Sequence, residues 1–460
     1  MRLLFLYLTV IFILSGTMLP CRAKERIIIL NEGLWQADNG RISYFEDGEI
    51  ISNEWFRKNN GYKLGDTPND IIQVNDNLIA IAVNWSNIVQ FITPDGKAVA
   101  ATEDVPNNRK LASDGRYVYV SSYGHEVGMD GRFLEFTKGY VAKIDTKTFK
   151  VVAAVEVGYE PEGIALYDHH LFVANTGGYA FQENHEYETT VSIIDSETMD
   201  VTRTVDTGQI NLYGKMSQSG PYLCINSPGD YYDVPAATIV FDCQAALDGK
   251  PDEECFHLLE YAATYNTVDL EGNFWAIGSR YSYYTGEYEF NYIRINPTEL
   301  FENDGNAGIS DDFPGTVLSD IKQMMMPYGL FVNPHTGYIY ATDASSFTAA
   351  GSLYQWSPDG ELLGIHKVYI NPAHFLAISP EDQSDKDDDD SHTGSGDNAG
   401  DNEDKDNNEN EGGNNGVSTF TIDFNPISTL IFNLQGIPVS QPITGQIYIR
   451  NGKKFIFKQQ

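Results

Sequence analysis

Pro161-Glu162-Gly163-Ile164-Ala165-Leu166, followed by Leu171-Phe172-Val173-Ala174-Asn175, is the stretch that decides the fold. After a long loop come Val191-Ser192-Ile193-Ile194-Asp195 and Val201-Thr202-Arg203-Thr204-Val205. Each run has strand length and is rich in β-branched or aromatic side chains. A turn-opened strand, a second apolar strand, a loop, a third strand and a short fourth make one four-stranded unit.

Working outward, the same order recurs. Residues 69–74 lead to 78–83 and 88–92, with the turn Pro94-Asp95-Gly96. Residues 109–113 lead to 117–121 and 140–145. Residues 212–217 lead to 222–226 and 238–242, and 263–269 lead to 274–278 and 290–296. Residues 328–332 lead to 338–342 and 352–357, with Pro358-Asp359-Gly360. A period of about 40–50 residues is that of a β-propeller blade. Six copies leave both ends over, and the ends make a seventh: residues 373–379 supply its inner strand and 26–31, 41–45 and 50–53 the other three. Joining the two ends in one blade closes the ring and leaves no open sheet edge. A ring of eight would need another blade within 297–325. The predicted fold is therefore an all-β, seven-bladed β-propeller over residues 24–380, closed by its N- and C-terminal strands.

The flanks read differently. Residues 1–23 have the pattern of a signal peptide: Arg2, then an apolar run from Leu3 to Leu14 too short to span a bilayer. Cleavage before Lys24 is preferred to lipidation of Cys21, because Pro20 is a poor residue before a lipidated cysteine. Either route exports the chain, and no later segment is apolar enough to be transmembrane. Residues 381–416 are rich in Asp, Asn, Gly and Ser and read as an acidic disordered linker. Roughly a third of the formal net charge of −35 falls near 381–411. Residues 417–460 regain strand patterning as a small β module, with a hairpin turn at Asn451-Gly452. The charge argues against nucleic acid and anionic membranes as partners. In an oxidising compartment Cys243 and Cys255, which flank a polar loop, are expected to form a disulfide, leaving Cys224 as a buried thiol.

The functional signal is an asymmetry between the two faces. In a propeller the loops between second and third strands share a face with the connections between blades. Here those loops carry Trp35, Trp85, Tyr123, Tyr179, Tyr231, Tyr232 and Tyr283, and the connections carry Asn69, Asn108, Glu160 and Tyr328, with Asn211, Tyr265 and Asn371 in similar places. Tyr and Trp offer rigid contact area with a polar tip, which suits a flat amphipathic ligand. The eleven residues first named are the expected ligand-binding set. For any one of them, packing that keeps a long loop ordered is the competing explanation. Catalytic motifs are missing: there is no nucleophile elbow and no phosphate-cradling loop before a helix. His125 and His185 lie in loops and are read as solvated, His257 and His374 are scattered, and no metal or cofactor is expected.

Ile28-Ile29-Leu30-Asn31-Glu32-Gly33, with Trp35 and Gly40-Arg41-Ile42-Ser43-Tyr44-Phe45, resembles the opening of YncE-like bacterial surface propellers, the group that contains the BtuG-type cobalamin-binding proteins. Pro161-Glu162-Gly163 and Met326-Pro327-Tyr328-Gly329 are similar to that family's blade openings, and the likeness covers about residues 26–380. It implies capture of a corrinoid, a vitamin B12-like ligand, on the loop face and handover to a TonB-dependent outer-membrane transporter. The tail, in Ile431-Phe432-Asn433-Leu434-Gln435-Gly436 and 445–454, resembles the sorting domains of type IX secretion and implies delivery to the cell surface. Expectation thus favours a non-catalytic, exported binding protein. The alternatives are a lactonase-like or glycan-cleaving propeller, which would need a carboxylate- or metal-lined funnel, and a surface protein-interaction scaffold.

Overall fold

The computed structural model describes residues 25–103, 105–125, 137–178, 186–230, 233–282, 287–303 and 307–379, together with strand residues 431–432, 438–439, 447–450 and 453–456. Seven four-stranded antiparallel sheets follow one another round a ring. In chain order, blade 1 spans 68–102, blade 2 108–156, blade 3 161–206, blade 4 213–259, blade 5 265–310 and blade 6 327–367. Blade 7 takes its inner strand from Pro372–Ala377 and the rest from Arg26–Asn31, Arg41–Glu46 and Glu49–Ser52. The closing pairs are Ile27 with Ala377, Ile28 with Leu376, Ile29 with Phe375 and Leu30 with His374. Each inner strand touches the next, and the seventh touches the first.

Why these residues build this ring is visible in their burial. Middle strands such as Leu78–Val83 are buried along their whole length, because both faces of the blade are covered by neighbours. Outer strands such as Lys150–Glu156 alternate toward solvent. The apolar core accordingly divides into one main cluster per seam between blades. Phe172 of blade 3 meets Phe241 of blade 4 edge to face, with centroids 5.9 Å apart. Phe331 of blade 6 stacks on Phe375 of blade 7 at 5.5 Å.

The turns that open the inner strands repeat as well. Thr67, Asn107, Glu160, Asn211 and Asn371 stand just before inner strands with left-handed φ values of 52°, 48°, 44°, 59° and 53°. Asparagine tolerates that region through local side-chain hydrogen bonds, whereas Thr and Glu do so less readily. Asn371 Nδ2 donates to Gly33 O at 2.8 Å, and Asn211 Nδ2 to Gly229 O at 2.8 Å. Each side chain thus ties its turn to the loop beside it.

Three expectations need correction. The Cys243–Cys255 disulfide is not formed: Cys224, Cys243 and Cys255 are buried free thiols. The reason is register. The Asp242 N–H donates to the Cys255 carbonyl at 2.7 Å, so Cys243 falls one place past its supposed partner. It opens the helix Cys243–Leu247, which the Asp242 carboxylate caps, while the Cys255 thiol turns to the Pro251 carbonyl at 3.3 Å. In blade 5 the second and third strands run as Phe274–Ser282 and Glu287–Ile295, reaching further into the expected loop than the 274–278 and 290–296 read from the sequence. Third, His125 is not solvated but buried. The described residues of 297–325 form no blade but the helices Pro297–Glu302 and Val317–Ile321 and the short edge strand Ile309–Ser310.

Near the C-terminus a separate four-stranded sheet is ordered 438–439, 431–432, 447–450, 453–456. Arg450 pairs with Lys453, the register expected of a hairpin closed at Asn451-Gly452. The expected signal peptide and the whole of the expected linker, 381–416, lie outside the described residues. Among the described residues no helix is long and apolar enough to cross a membrane.

Candidate functional site

All seven inner strands start on the loop face, so the residues just inside each start gather round the axis. Blade 1 brings Asp70, blade 2 Arg109 and Lys110, blade 3 Glu162, blade 4 Tyr213 and Lys215, blade 5 Tyr265, blade 6 Tyr328 and blade 7 His374. Glu32, from the loop after Arg26–Asn31, completes the group. The result is a cup lined by paired charges and tyrosines.

Glu162 is the hub of one wall. Its carboxylate accepts Arg109 Nε at 2.6 Å and Arg109 Nη2 at 3.0 Å, a bidentate pair, and the Tyr123 hydroxyl at 2.7 Å. The Arg109 guanidinium also lies over the Tyr123 ring, 4.7 Å from its centroid. Lys110 Nζ stands 3.9 Å from Glu162 and donates to Asn69 O at 2.7 Å. Burial alone would raise the Glu162 pKa. The Arg109 and Lys110 charges and the donated hydrogen bonds outweigh it, so the carboxyl is held below its ordinary range.

On the far wall Glu32 accepts the Tyr328 hydroxyl at 2.6 Å and pairs with His374 Nε2 at 3.1 Å. Burial and the Lys110 charge push His374 below the usual histidine value, so the ring is neutral near pH 7 and Nε2–H is the donor. Tyr328 packs against Tyr265 at 5.5 Å and against Phe347 at 5.5 Å. Burial and the nearby Glu32 carboxylate push both phenols up, so they stay protonated. The floor is a bar across the axis: Lys215 Nζ donates to Asp70 Oδ1 at 2.8 Å. Blades 1 and 4 stand as far apart as a ring of seven permits.

The expected ligand-binding residues scatter across this geometry. Tyr328 lines the cup. Tyr123 is buried beneath Arg109 and orients it. Trp35 and Trp85 meet edge to face at 4.9 Å, half-buried, beside the cup where blades 7 and 1 adjoin. Asn69, Asn108 and Glu160 are buried in seams between blades. Asn108 Nδ2 donates to Ile88 O at 3.1 Å and to Val105 O at 3.0 Å, and the Glu160 carboxylate lies 3.5 Å from His125 Nε2. Tyr179, Tyr231, Tyr232 and Tyr283 lie outside the described residues.

Sequence reading missed Asp70, Arg109, Lys110, Tyr213 and Lys215, and saw Glu162 only as part of a turn. The signal was available: once the inner strands are aligned on their opening turns, the next few positions hold a charged residue or a tyrosine in blades 1 to 6 and a histidine in blade 7. Among the described residues no three His, Cys, Asp or Glu side chains are grouped to hold a metal ion. A cleft lies away from the axis, lined by Asp38, Arg41, Glu54, Arg57 and Lys63. Arg41 there is spent on Glu54 at 2.9 Å and Lys63 on Asp38 at 2.9 Å, so the charge-lined cup is the better candidate.

Comparison with curated proteins gives no match. Among solved structures, the chain is similar to Kuenenia stuttgartiensis hydrazine synthase at 12% identity and a TM-score of 0.48, over 68% of this chain and 92% of that one. A functionally unknown protein from Desulfotomaculum acetoxidans DSM 771 matches at 12% identity and TM-score 0.48, over 77% and 99%. Virginiamycin B lyase from Staphylococcus aureus matches at 11% and 0.41, over 67% and 87%. These likenesses are too distant to bear on function. Residues 26–220, from the second strand of blade 7 through the first strand of blade 4, match the family model of a domain of unknown function, DUF5074.

Proposed function

We propose that this chain is an exported, non-catalytic binding propeller that captures a small polar–aromatic molecule in its loop-face cup, with a corrinoid as the first ligand to test. The observation that carries the reading is the lining. Tyrosines alternate with ion pairs at the mouth: Tyr265 packs on Tyr328, and the pairs Glu32–His374, Arg109–Glu162 and Lys215–Asp70 share the lining with them. A corrinoid offers a broad ring for the aromatic groups and polar side groups for the charged ones. In this reading residues 1–23 direct export, 417–460 act in surface sorting, and the ligand passes to a TonB-dependent transporter.

Calorimetric titration of the full chain with cyanocobalamin tests the proposal. Saturable, stoichiometric heat without chemical change supports it, and absence of heat at micromolar protein removes the corrinoid. One observation favours a second reading as a hydrolase: a neutral His374 beside the Glu32 carboxylate in a carboxylate-lined funnel has the make-up of a general base. Turnover of lactone or glycoside substrates that disappears in His374→Gln would establish that reading instead.

A further inference from the structure

We infer that Lys215 is the group by which the cup grips an oxyanion of its ligand, a carboxylate or phosphate ester carried on a larger apolar body. The inference rests on the loop-face binding reading for there being a ligand, but not on that ligand being a corrinoid.

The three cations of the cup are differently committed. Arg109 is 13% exposed and holds both oxygens of Glu162. Lys110 is 7% exposed, and its ammonium is bonded to a backbone carbonyl. Neither can turn to a newcomer without stranding a buried partner. Lys215 is 44% exposed, while its partner Asp70 is fully buried, and the Lys215 bond to a backbone carbonyl, Ile71 O, is long at 3.4 Å against 2.7 Å for Lys110.

Lys215 is the strongest charge partner of Asp70, but Asp70 has others. Its Oδ1 also accepts the Ile71 N–H at 2.9 Å, its Oδ2 accepts the Leu111 N–H at 2.8 Å, and the Lys110 charge lies near. The Lys215 ammonium can therefore swing toward the mouth and leave Asp70 still hydrogen-bonded. Within this pair the exposed charge is the Lys215 ammonium, since Asp70 is fully buried.

The apolar body follows from what surrounds the ammonium. Tyr213, two residues earlier on the strand, is 39% exposed and lies near enough to Arg109, Tyr265 and Tyr328 to act on their charges. Tyr265, on the adjoining blade 5, packs on Tyr328 of blade 6 at 5.5 Å. A chain of net charge −35 repels bare anions, so an oxyanion alone would bind weakly and a ring beside it must add contact.

The test uses the full chain with phenyl phosphate, benzoate and the neutral benzamide, in wild type, Lys215→Met and Lys215→Arg. A charge-assisted contact predicts that both anions bind wild type about 10- to 100-fold more tightly than benzamide. The Met variant loses that preference, and the Arg variant retains most of it. The two anions distinguish a phosphate-ester from a carboxylate ligand. Anion binding unchanged in Lys215→Met, or no anion preference in wild type, overturns the inference. Should Lys215→Met fail to fold, NMR of reductively 13C-methylated wild-type lysines decides: a resonance missing from Lys215→Arg must move on adding phenyl phosphate, and its failure to move is equally fatal. Cyanocobalamin, which carries a phosphodiester, separates the two ideas. Equal binding to wild type and Lys215→Met ends the role of Lys215 but keeps the corrinoid, whereas no cobalamin binding alongside Lys215-dependent phenyl phosphate binding does the reverse.

Discussion

Glu162→Gln should be among the most damaging conservative substitutions in the propeller. The change removes the charge that both Arg109 and Lys110 face, and leaves two cations, 13% and 7% exposed, on one wall. It also takes an acceptor from the buried Tyr123 hydroxyl. Breaking a buried pair by removing one partner costs about 3–5 kcal/mol. Unfolding entropy near 2.1 cal/mol/K per residue over a propeller of roughly 350 residues converts this into a fall in Tm of about 4–7 °C. Scanning calorimetry at pH 7 reads it directly. The pH dependence has a defined sign. The Glu162 pKa is lowered on folding from its ordinary value of 4.5, so its stabilisation is complete above that value and is lost as pH falls through the lower, folded value. The gap between wild type and variant should therefore narrow in acid. The double variant Arg109→Met/Glu162→Leu, which removes both charges, should recover at least about 2 kcal/mol of the loss. A Tm within a degree of wild type for Glu162→Gln, or simple additivity in the double variant, would refute the reasoning.

Three further outcomes are expected. His374 titrates below the ordinary 6.5 when folded, so its contribution is present above pH 6.5 and is lost as pH drops beneath it; His374→Gln should flatten the stability curve between pH 6.5 and 5, measured by urea midpoints. Burial pushes the Cys224 thiol up to about 12 and raises Cys243 and Cys255 as well, so all three should resist iodoacetamide until the chain unfolds; a Cys243–Cys255 peptide found by non-reducing mass spectrometry would contradict this. Phe375→Ala removes a ring stacked on Phe331 in the closing blade and should cost about 3–5 kcal/mol, read as a calorimetric Tm shift, whereas a loss under 1 kcal/mol would mean that closure does not depend on this seam.

The ring was legible because its signals are local. Val-, Ile- and aromatic-rich runs such as Leu78–Val83 lie on one stretch of chain, and the opening turns at Pro161 or Asn107-Asn108 recur at a steady spacing. Even closure could be read, since the two unpaired ends each offered what the other lacked, and Arg26–Asn31 does pair with Pro372–Ala377. The cup was hidden because its bonds are not local. Arg109 and Glu162 lie 53 positions apart, and Asp70 and Lys215 lie 145 apart. On each strand a charged residue beside apolar ones looks like ordinary alternation toward solvent. Ring closure alone turns those positions toward one another. The disulfide failed for a similar reason: spacing suggested a bridged loop, but a one-residue offset in pairing decided the matter.

The charged axis is itself an argument for recognition. A propeller can fill its centre with apolar side chains, and replacing buried ion pairs by well-packed hydrophobic residues is often neutral or stabilising by about 1–4 kcal/mol. Here Glu162 and Asp70 are fully buried yet carry charge, and their cations come from strands that an apolar filling would have packed more simply. Stability gives weak grounds for this arrangement, while a binding role gives a direct one: paired charges fixed by closure hold hydrogen-bonding directions rigid at the mouth. The two explanations part in one variant. If the pair serves recognition, Arg109→Met/Glu162→Leu should recover the stability stated above relative to Glu162→Gln and yet lose at least tenfold in affinity for whichever probe wild type binds, cyanocobalamin or phenyl phosphate. If the variant is markedly less stable but binds as before, the charges serve the fold and the cup is not the site.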